Sequence, residues 1–216
     1  MFDRDSTNIY HAVELDALPW LLHGFGTRLS DVPAHLAPFA ELATLKQIHS
    51  SVCVAAEGRS GVLGPGDALI ENVPCSVVAV KTADCIPILL VDERQRVVAA
   101  VHAGWRGTAA RIVVHAVQTM SQRFGTAPAD LHAAIGPGIG KCCYEVGPEV
   151  MEQFGGQGRG HLDLTAENAR QLEESGVTRQ RIYASNLCTM CRSEEFHSFR
   201  RDKEAAGRMY SFVGIL

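Results

Sequence analysis

A chain of 216 residues, 46% of them hydrophobic and 20% charged, carries enough apolar material for a well-buried core and excludes the disordered, collagenous and membrane-embedded classes. Its net charge of −4 argues against dedicated nucleic-acid binding, which needs a clustered basic surface, and favours small-molecule substrates. No basic segment followed by an apolar run opens the sequence, and apolar stretches such as Ile86 to Val91 are too short to cross a bilayer. One cytoplasmic domain over residues 1–216, with no membrane and no nucleic-acid partner, is the expectation; the oligomeric state stays unspecified. Seven scattered cysteines, an odd number, fit reduced thiols, some of them metal ligands, better than a secreted disulfide framework.

In chain order, the glycine-rich stretch Glu57 to Gly66 reads as a surface loop, as does Gly155 to Gly160 further on. Short β-branched runs follow at Val77–Thr82, Ile86–Val91 and Val97–Val101, the last two joined by the polar turn Asp92-Glu93-Arg94-Gln95. That is a hairpin signature, with strands apolar enough for burial on both faces. From about Thr108 to Phe124, Ala109, Ile112, Val113, Ala116, Val117, Met120 and Phe124 recur at three- and four-residue steps. Arg111, His115, Gln118 and Gln122 fall opposite, which predicts one amphipathic helix ended by Gly125. A strand at Leu131–Ile135, helices near Pro148–Phe154 and Thr165–Glu174, and strands near Arg181–Ala184 and Met209–Val213 complete the pattern. The second of these helices would be capped by Thr165 and closed by Gly176. The order suggests an α+β fold: mixed sheets in a sandwich-like core, flanked by helices.

Three segments place metal-ligating side chains at element ends: Gln47-Ile48-His49 after a strand-like run, Ala83-Asp84-Cys85 between two strands, and Val101-His102-Ala103-Gly104 between strand and helix. Two imidazoles and a thiolate suit zinc, and three protein ligands leave the fourth tetrahedral position for water or substrate, as in catalytic sites. Spacing alone leaves the alternative open that Cys85 is a small core residue and the histidines are satisfied structural groups, because no compact ligand motif is present.

The motifs narrow this. Lys81-Thr82-Ala83-Asp84-Cys85-Ile86-Pro87, Val101-His102-Ala103-Gly104-Trp105-Arg106-Gly107, Ala134-Ile135-Gly136-Pro137 and Phe196-His197-Ser198-Phe199-Arg200-Arg201-Asp202 resemble the YfiH family, also called multicopper polyphenol oxidoreductases or peptidoglycan-editing factors. The match runs from His23-Gly24-Phe25-Gly26-Thr27-Arg28 to Gly207-Arg208-Met209. The resemblance implies a catalytic zinc on His49, Cys85 and His102. It also implies action on purine nucleosides: phosphorolysis of adenosine, inosine and methylthioadenosine, and deamination of adenosine.

In deamination, activated water would add at C6 of adenine while a carboxylate moves the proton. Asp84 is the first candidate for that carboxylate and Asp67 the second. In phosphorolysis, phosphate displaces the purine, so the site must hold a dianion. Arginine forks suit this task, and Arg106, Arg200 and Arg201 are the candidates, with Gln47 added for substrate binding.

Three other readings compete. The same ligand set could hold copper in a laccase-like polyphenol oxidase, although no two of the nine histidines form the His-x-His pairs of multicopper clusters. A metal-free hydrolase could use Cys85 as nucleophile and His102 as base. The family's peptidoglycan-editing name implies a binding role for cell-wall precursors. Two further signals are weak. Gly136-Pro137-Gly138-Ile139-Gly140-Lys141-Cys142 is one residue short of a P-loop and reads as a turn. Cys188-Thr189-Met190-Cys191 has zinc or redox spacing, but Cys142 and Cys143, being adjacent, are expected to be poorly placed to complete a tetrahedron.

Overall fold

The computed structural model describes residues 1–216. Its strands are β1 (Phe2–Arg4), β2 (Ile9–Ala12), β3 (Leu21–Gly26), β4 (Leu42–Lys46), β5 (Cys53–Ala55), β6 (Gly61–Pro65), β7 (Ala68–Glu71), β8 (Ser76–Thr82), β9 (Ile86–Asp92), β10 (Val97–Ala103), β11 (Leu131–Ile135), β12 (Glu145–Val146), β13 (Gly160–His161), β14 (Ile182–Ala184) and β15 (Met209–Ile215). The helices are α1 (Val32–Leu36), α2 (Trp105–Ala109), α3 (Ile112–Phe124), α4 (Pro148–Met151), α5 (Leu164–Glu174) and α6 (Phe199–Asp202). None is long and apolar enough to cross a membrane.

Seven strands form one sheet in the order β1-β2-β3-β15-β8-β4-β6, and six form a second in the order β14-β11-β9-β10-β7-β5. Both are mixed: β4 runs parallel to β8 and β6, β14 to β11, and β5 to β7, while the other pairs are antiparallel. The α+β expectation of mixed sheets flanked by helices therefore holds.

Alternation along the strands explains the layering. In β9 and β10 every residue is buried. Ile86, Ile88, Leu90, Val97, Ala99 and Val101 pack against α3 and α5, whereas Leu89, Val91, Val98 and Ala100 face Val78, Val80 and Val213 of the other sheet. The outer face of the first sheet is covered where Val77, Ala79 and Phe212 meet Val32 and Leu36 of α1. A strand between a sheet and a helix layer has no wet face, which is why these runs are continuously apolar.

Several boundaries differ from expectation. The predicted Thr108–Phe124 helix is two helices, broken at Arg111, whose φ of 58° is left-handed. A continuous helix would have Ile112 donate to the Thr108 carbonyl, but that oxygen instead accepts from the Gln171 side chain of α5 at 2.9 Å and from Arg111 N–H at 2.9 Å. Capping of α5 falls to Asp163, whose carboxylate accepts from Ala166 N–H at 2.9 Å, so Thr165 lies inside the helix. The predicted Glu57–Gly66 loop contains β6, an exposed edge strand paired to β4, and Gly160 opens β13.

Candidate metal centre

The β9–β10 hairpin builds the site. Its register pairs His102 with Pro87 and Ala103 with Ile86, which carries Gly104 opposite Cys85 at the open end of the hairpin. His49 arrives from the first sheet, in the turn after β4. The nitrogen and sulfur donors of His49, Cys85 and His102 all lie within 4.8 Å of one another. Cys85 Sγ is 4.0 Å from His49 Nε2, and the imidazole centroids are 4.9 Å apart at 74°. Gly104 is glycine for a steric reason: a Cβ there would lie 2.9 Å from Cys85 Sγ and 3.1 Å from His49 Cδ2.

Asp67, fully buried, orders this arrangement. One oxygen lies 2.8 Å from His102 Nδ1, so an imidazole ligating through Nε2 donates its proton to Asp67, the usual support for a metal-bound histidine. The same carboxylate accepts from the backbone N–H of Ile48 at 3.3 Å, His49 at 3.0 Å and Ser50 at 2.6 Å, and from the Ser50 hydroxyl at 2.7 Å. These bonds hold the His49 turn, in which His49 has a φ of 58°. Burial alone would raise the Asp67 carboxyl, yet the bonds from His102 and Ser50 outweigh it and hold it well below the carboxylate range.

Electrostatics favour a thiolate. Burial pushes the Cys85 thiol up, but hydrogen bonding to His102 and His49 prevails and brings it down to about 6. Burial likewise works against the His102 cation, and the bonds to Asp67 and Cys85 raise it to about 9. Two imidazoles, one thiolate and an orienting carboxylate make a donor set that fits zinc with one position open, and copper by the same chemistry.

A cavity of about 720 Å³ opens over the three ligands. Trp105, Tyr144 and Phe199 supply aromatic walls, and Lys81, Arg106, Arg200, Lys203 and Arg208 supply cations in a chain of net charge −4. The Arg106 guanidinium stacks 4.3 Å from the Trp105 ring centroid, and that of Arg200 lies 5.2 Å from Tyr144. Burial and the nearby Cys85 thiolate push the Tyr144 phenol up to about 12, so it stays protonated and able to donate.

The other sequence candidates divide. Gln47 lines the cavity, but its amide is engaged with the backbone of Lys81, donating to the carbonyl and accepting from the N–H, each at 2.8 Å. Arg201 does not line it: its guanidinium donates to Thr189, Met190 and Phe196 carbonyls and to both oxygens of Asp202. Asp84 also lines it, with a φ of 89°, while its carboxylate accepts from the Thr189 hydroxyl at 2.6 Å, Ser198 hydroxyl at 3.1 Å and Arg200 N–H at 2.6 Å. Four amides of the glycine loop are taken by the protein itself: the N–H groups of Gly136, Gly138, Ile139 and Gly140 donate to Pro87 O, Leu187 O, Asp84 O and Cys188 Sγ.

Sequence reading missed Lys81, Trp105, Tyr144, Phe199, Lys203 and Arg208 as cavity groups, and Gly104 as a spacer. Lys81, Gly104, Trp105, Phe199 and Arg208 lie inside the quoted motifs, which could have pointed to them; Tyr144 and Lys203 carry no such signal.

Residues 29–216 match the family model described as multi-copper polyphenol oxidoreductase laccase, and the chain belongs to this family, the YfiH family. A purine nucleoside phosphorylase of Clostridium acetobutylicum is 38% identical over 183 residues, spanning 80% of this chain and 76% of that protein. An adenosine deaminase from an unknown prokaryotic organism is 39% identical over 163 residues, 69% of this chain and 61% of the other. The crystal structure of YfiH from Bacillus licheniformis superposes with a TM-score of 0.91 at 26% identity, covering 100% of this chain and 99% of that one.

Proposed function

We propose that the protein is a zinc-dependent purine nucleoside enzyme that phosphorolyses adenosine, inosine and methylthioadenosine and deaminates adenosine. The observation that carries this reading is the cavity itself, in which aromatic walls and five cations converge over His49, Cys85 and His102. The names of the relatives support the same chemistry.

His49, Cys85 and His102 would hold the metal. Zinc there would supply Lewis acidity and bring a water in its open position toward neutral pKa. Trp105, Tyr144 and Phe199 offer faces on which a purine stacks, and Arg106 and Arg200 bind the phosphate dianion. In phosphorolysis a phosphate oxygen forms a bond to the ribose anomeric carbon as the bond to the purine nitrogen breaks. The departing base takes a proton, and the protonated Tyr144 phenol in the cavity wall would donate a hydrogen bond to it. In deamination water adds at C6 and ammonia leaves. Asp84 is already committed to three donors, and Asp67 to five, so both act as positioning groups.

Incubation with adenosine, with and without phosphate, tests the reading. Adenine should form only when phosphate is present, and inosine in either case. If neither product appears, the proposal fails.

A second reading is favoured by the thiol of Cys85, brought down to about 6 beside His102, which Asp67 orients: these are the parts of a metal-free cysteine hydrolase. Activity that survives chelation and is killed by thiol alkylation would select it.

A further inference from the structure

Away from the cavity floor, four cysteines meet. Cys142 and Cys143 lie in the turn after Gly140, where Cys143 N–H and Tyr144 N–H both donate to the Gly140 carbonyl, at 2.9 and 3.0 Å. Cys188 and Cys191 lie in a second turn, closed by Arg192 N–H donating to Cys188 O at 3.1 Å. Adjacency in sequence leads to the expectation that Cys142 and Cys143 are poorly placed to complete a tetrahedron with the Cys-x-x-Cys pair. The structure overturns that expectation, because the first turn aims both thiols at Cys191, with Sγ separations of 3.6 Å from Cys142 and 3.3 Å from Cys143.

We propose that Cys142, Cys143, Cys188 and Cys191 form a tetrahedral tetrathiolate site for a second zinc ion. All four sulfurs lie within 4.8 Å of one another. Ligands at about 2.3 Å from a tetrahedral zinc are about 3.8 Å apart along each edge, so the spacing is that of one ion. Ordinary disulfide sulfurs sit at about 2.05 Å, and the separations here are far longer. Gly140 N–H donates to Cys188 Sγ at 3.2 Å, as backbone amides do toward thiolate sulfur. Gly140 is itself part of the packing, since a Cβ there would lie 3.2 Å from Cys142 Sγ and 3.4 Å from Cys188 Sγ. Four thiolates leave no open position, so the role is structural. The ion would join the turn that leads to Tyr144 to the segment whose Thr189 hydroxyl holds Asp84, bracing one wall of the cavity from outside.

Metal analysis of protein purified under reducing conditions with added zinc tests this. Wild type should carry two zinc ions per chain, and His49→Ala/His102→Ala and Cys188→Ser/Cys191→Ser should each carry one, the latter with a lowered Tm. Should the cysteine variant fail to fold, cobalt titrated into His49→Ala/His102→Ala should give the intense visible bands of a tetrahedral four-thiolate ion at one equivalent. Cobalt bands absent from that variant, or a Cys142–Cys191 or Cys143–Cys191 disulfide in the reduced protein, would overturn the proposal.

Discussion

Asp67 Oδ1 and His102 Nδ1 lie 2.8 Å apart, and the carboxylate that makes this bond also gathers three successive backbone N–H groups around His49. One buried side chain thus sets the orientation of one proposed ligand and the position of another. An amide at this position would turn its NH₂ toward groups that are already donors. Asp67→Asn is therefore expected to weaken zinc binding by about ten- to a hundred-fold. Competition against a chromophoric chelator measures this; unchanged affinity would remove Asp67 from the role given to it.

Gly104 has φ −74° and ψ 174°, a conformation any residue adopts. Gly104→Ala is expected to fold with near-native stability yet lose most bound zinc, because its Cβ meets Cys85 Sγ and His49 Cδ2. Metal content measured beside a thermal melt separates the two effects. Full occupancy in a stable variant would mean that the ligands have room to move.

Asp84 and its partners offer a test of positioning against proton transfer. Replacing the carboxylate weakens charge-assisted bonds from Thr189, Ser198 and the Arg200 backbone, so Asp84→Asn should lose about 2–3 kcal/mol of stability. Residual turnover should keep the wild-type shape of its pH profile. Disappearance of one limb would restore Asp84 as the proton carrier.

Arg106 and Arg201 should separate cleanly. Loss of a charged hydrogen bond to phosphate costs about 1.5–3 kcal/mol, so Arg106→Ala is expected to raise the KM for phosphate about ten- to a hundred-fold. Arg201→Lys should lower Tm and leave that KM unchanged, since its fork serves three carbonyls and Asp202. Equal effects on the phosphate KM would contradict this division.

His23, outside the cavity, gives a pH dependence of stability. Burial lowers it to about 4, assisted by the charge of His11, while its Nε2 accepts from Ala12 N–H at 3.1 Å. The unfolded chain, with an ordinary histidine, binds more protons between about pH 6.5 and 4, so folded stability falls with acid across that window. The full shift is worth about 3 kcal/mol. Denaturant titrations at pH 7 and pH 5 should show His23→Gln losing less stability than wild type between the two. A parallel loss in both would assign the acid sensitivity elsewhere.

The central hairpin was legible in the sequence because Ile86–Val91 and Val97–Val101 are apolar on both faces and joined by a short polar turn. The α3 face was equally plain, and its break at Arg111 was not, because Gln171, 63 residues away in sequence, takes the Thr108 carbonyl. The seven strands before Ser76 largely escaped notice: they are short and several carry polar or exposed positions, so their pairing rather than their composition makes them strands. Within the site, motifs singled out His49, Cys85 and His102, and the structure gathers them. The roles of Asp67, Asp84 and Arg201 are set by hydrogen-bond partners across turns and strands, which spacing does not encode. Cys142 and Cys143 were discounted because side-chain direction in a turn is a three-dimensional property.

β15 lies in the interior of the first sheet, between β3 and β8, and β8 in turn holds Gln47 beside the His49 turn. During synthesis, strands made early must wait, edges unpaired, until residues 209–215 leave the ribosome and slide between them. The β3–β15–β8 junction of this sheet therefore closes late, through long-range pairing that is intrinsically slow and exposes strand edges meanwhile. A nascent chain stalled before residue 209 would hold β3 and β8 without the strand that joins them, while His49, Asp67, Cys85 and His102 are already made, so the site's ligands precede the strand that completes the first sheet.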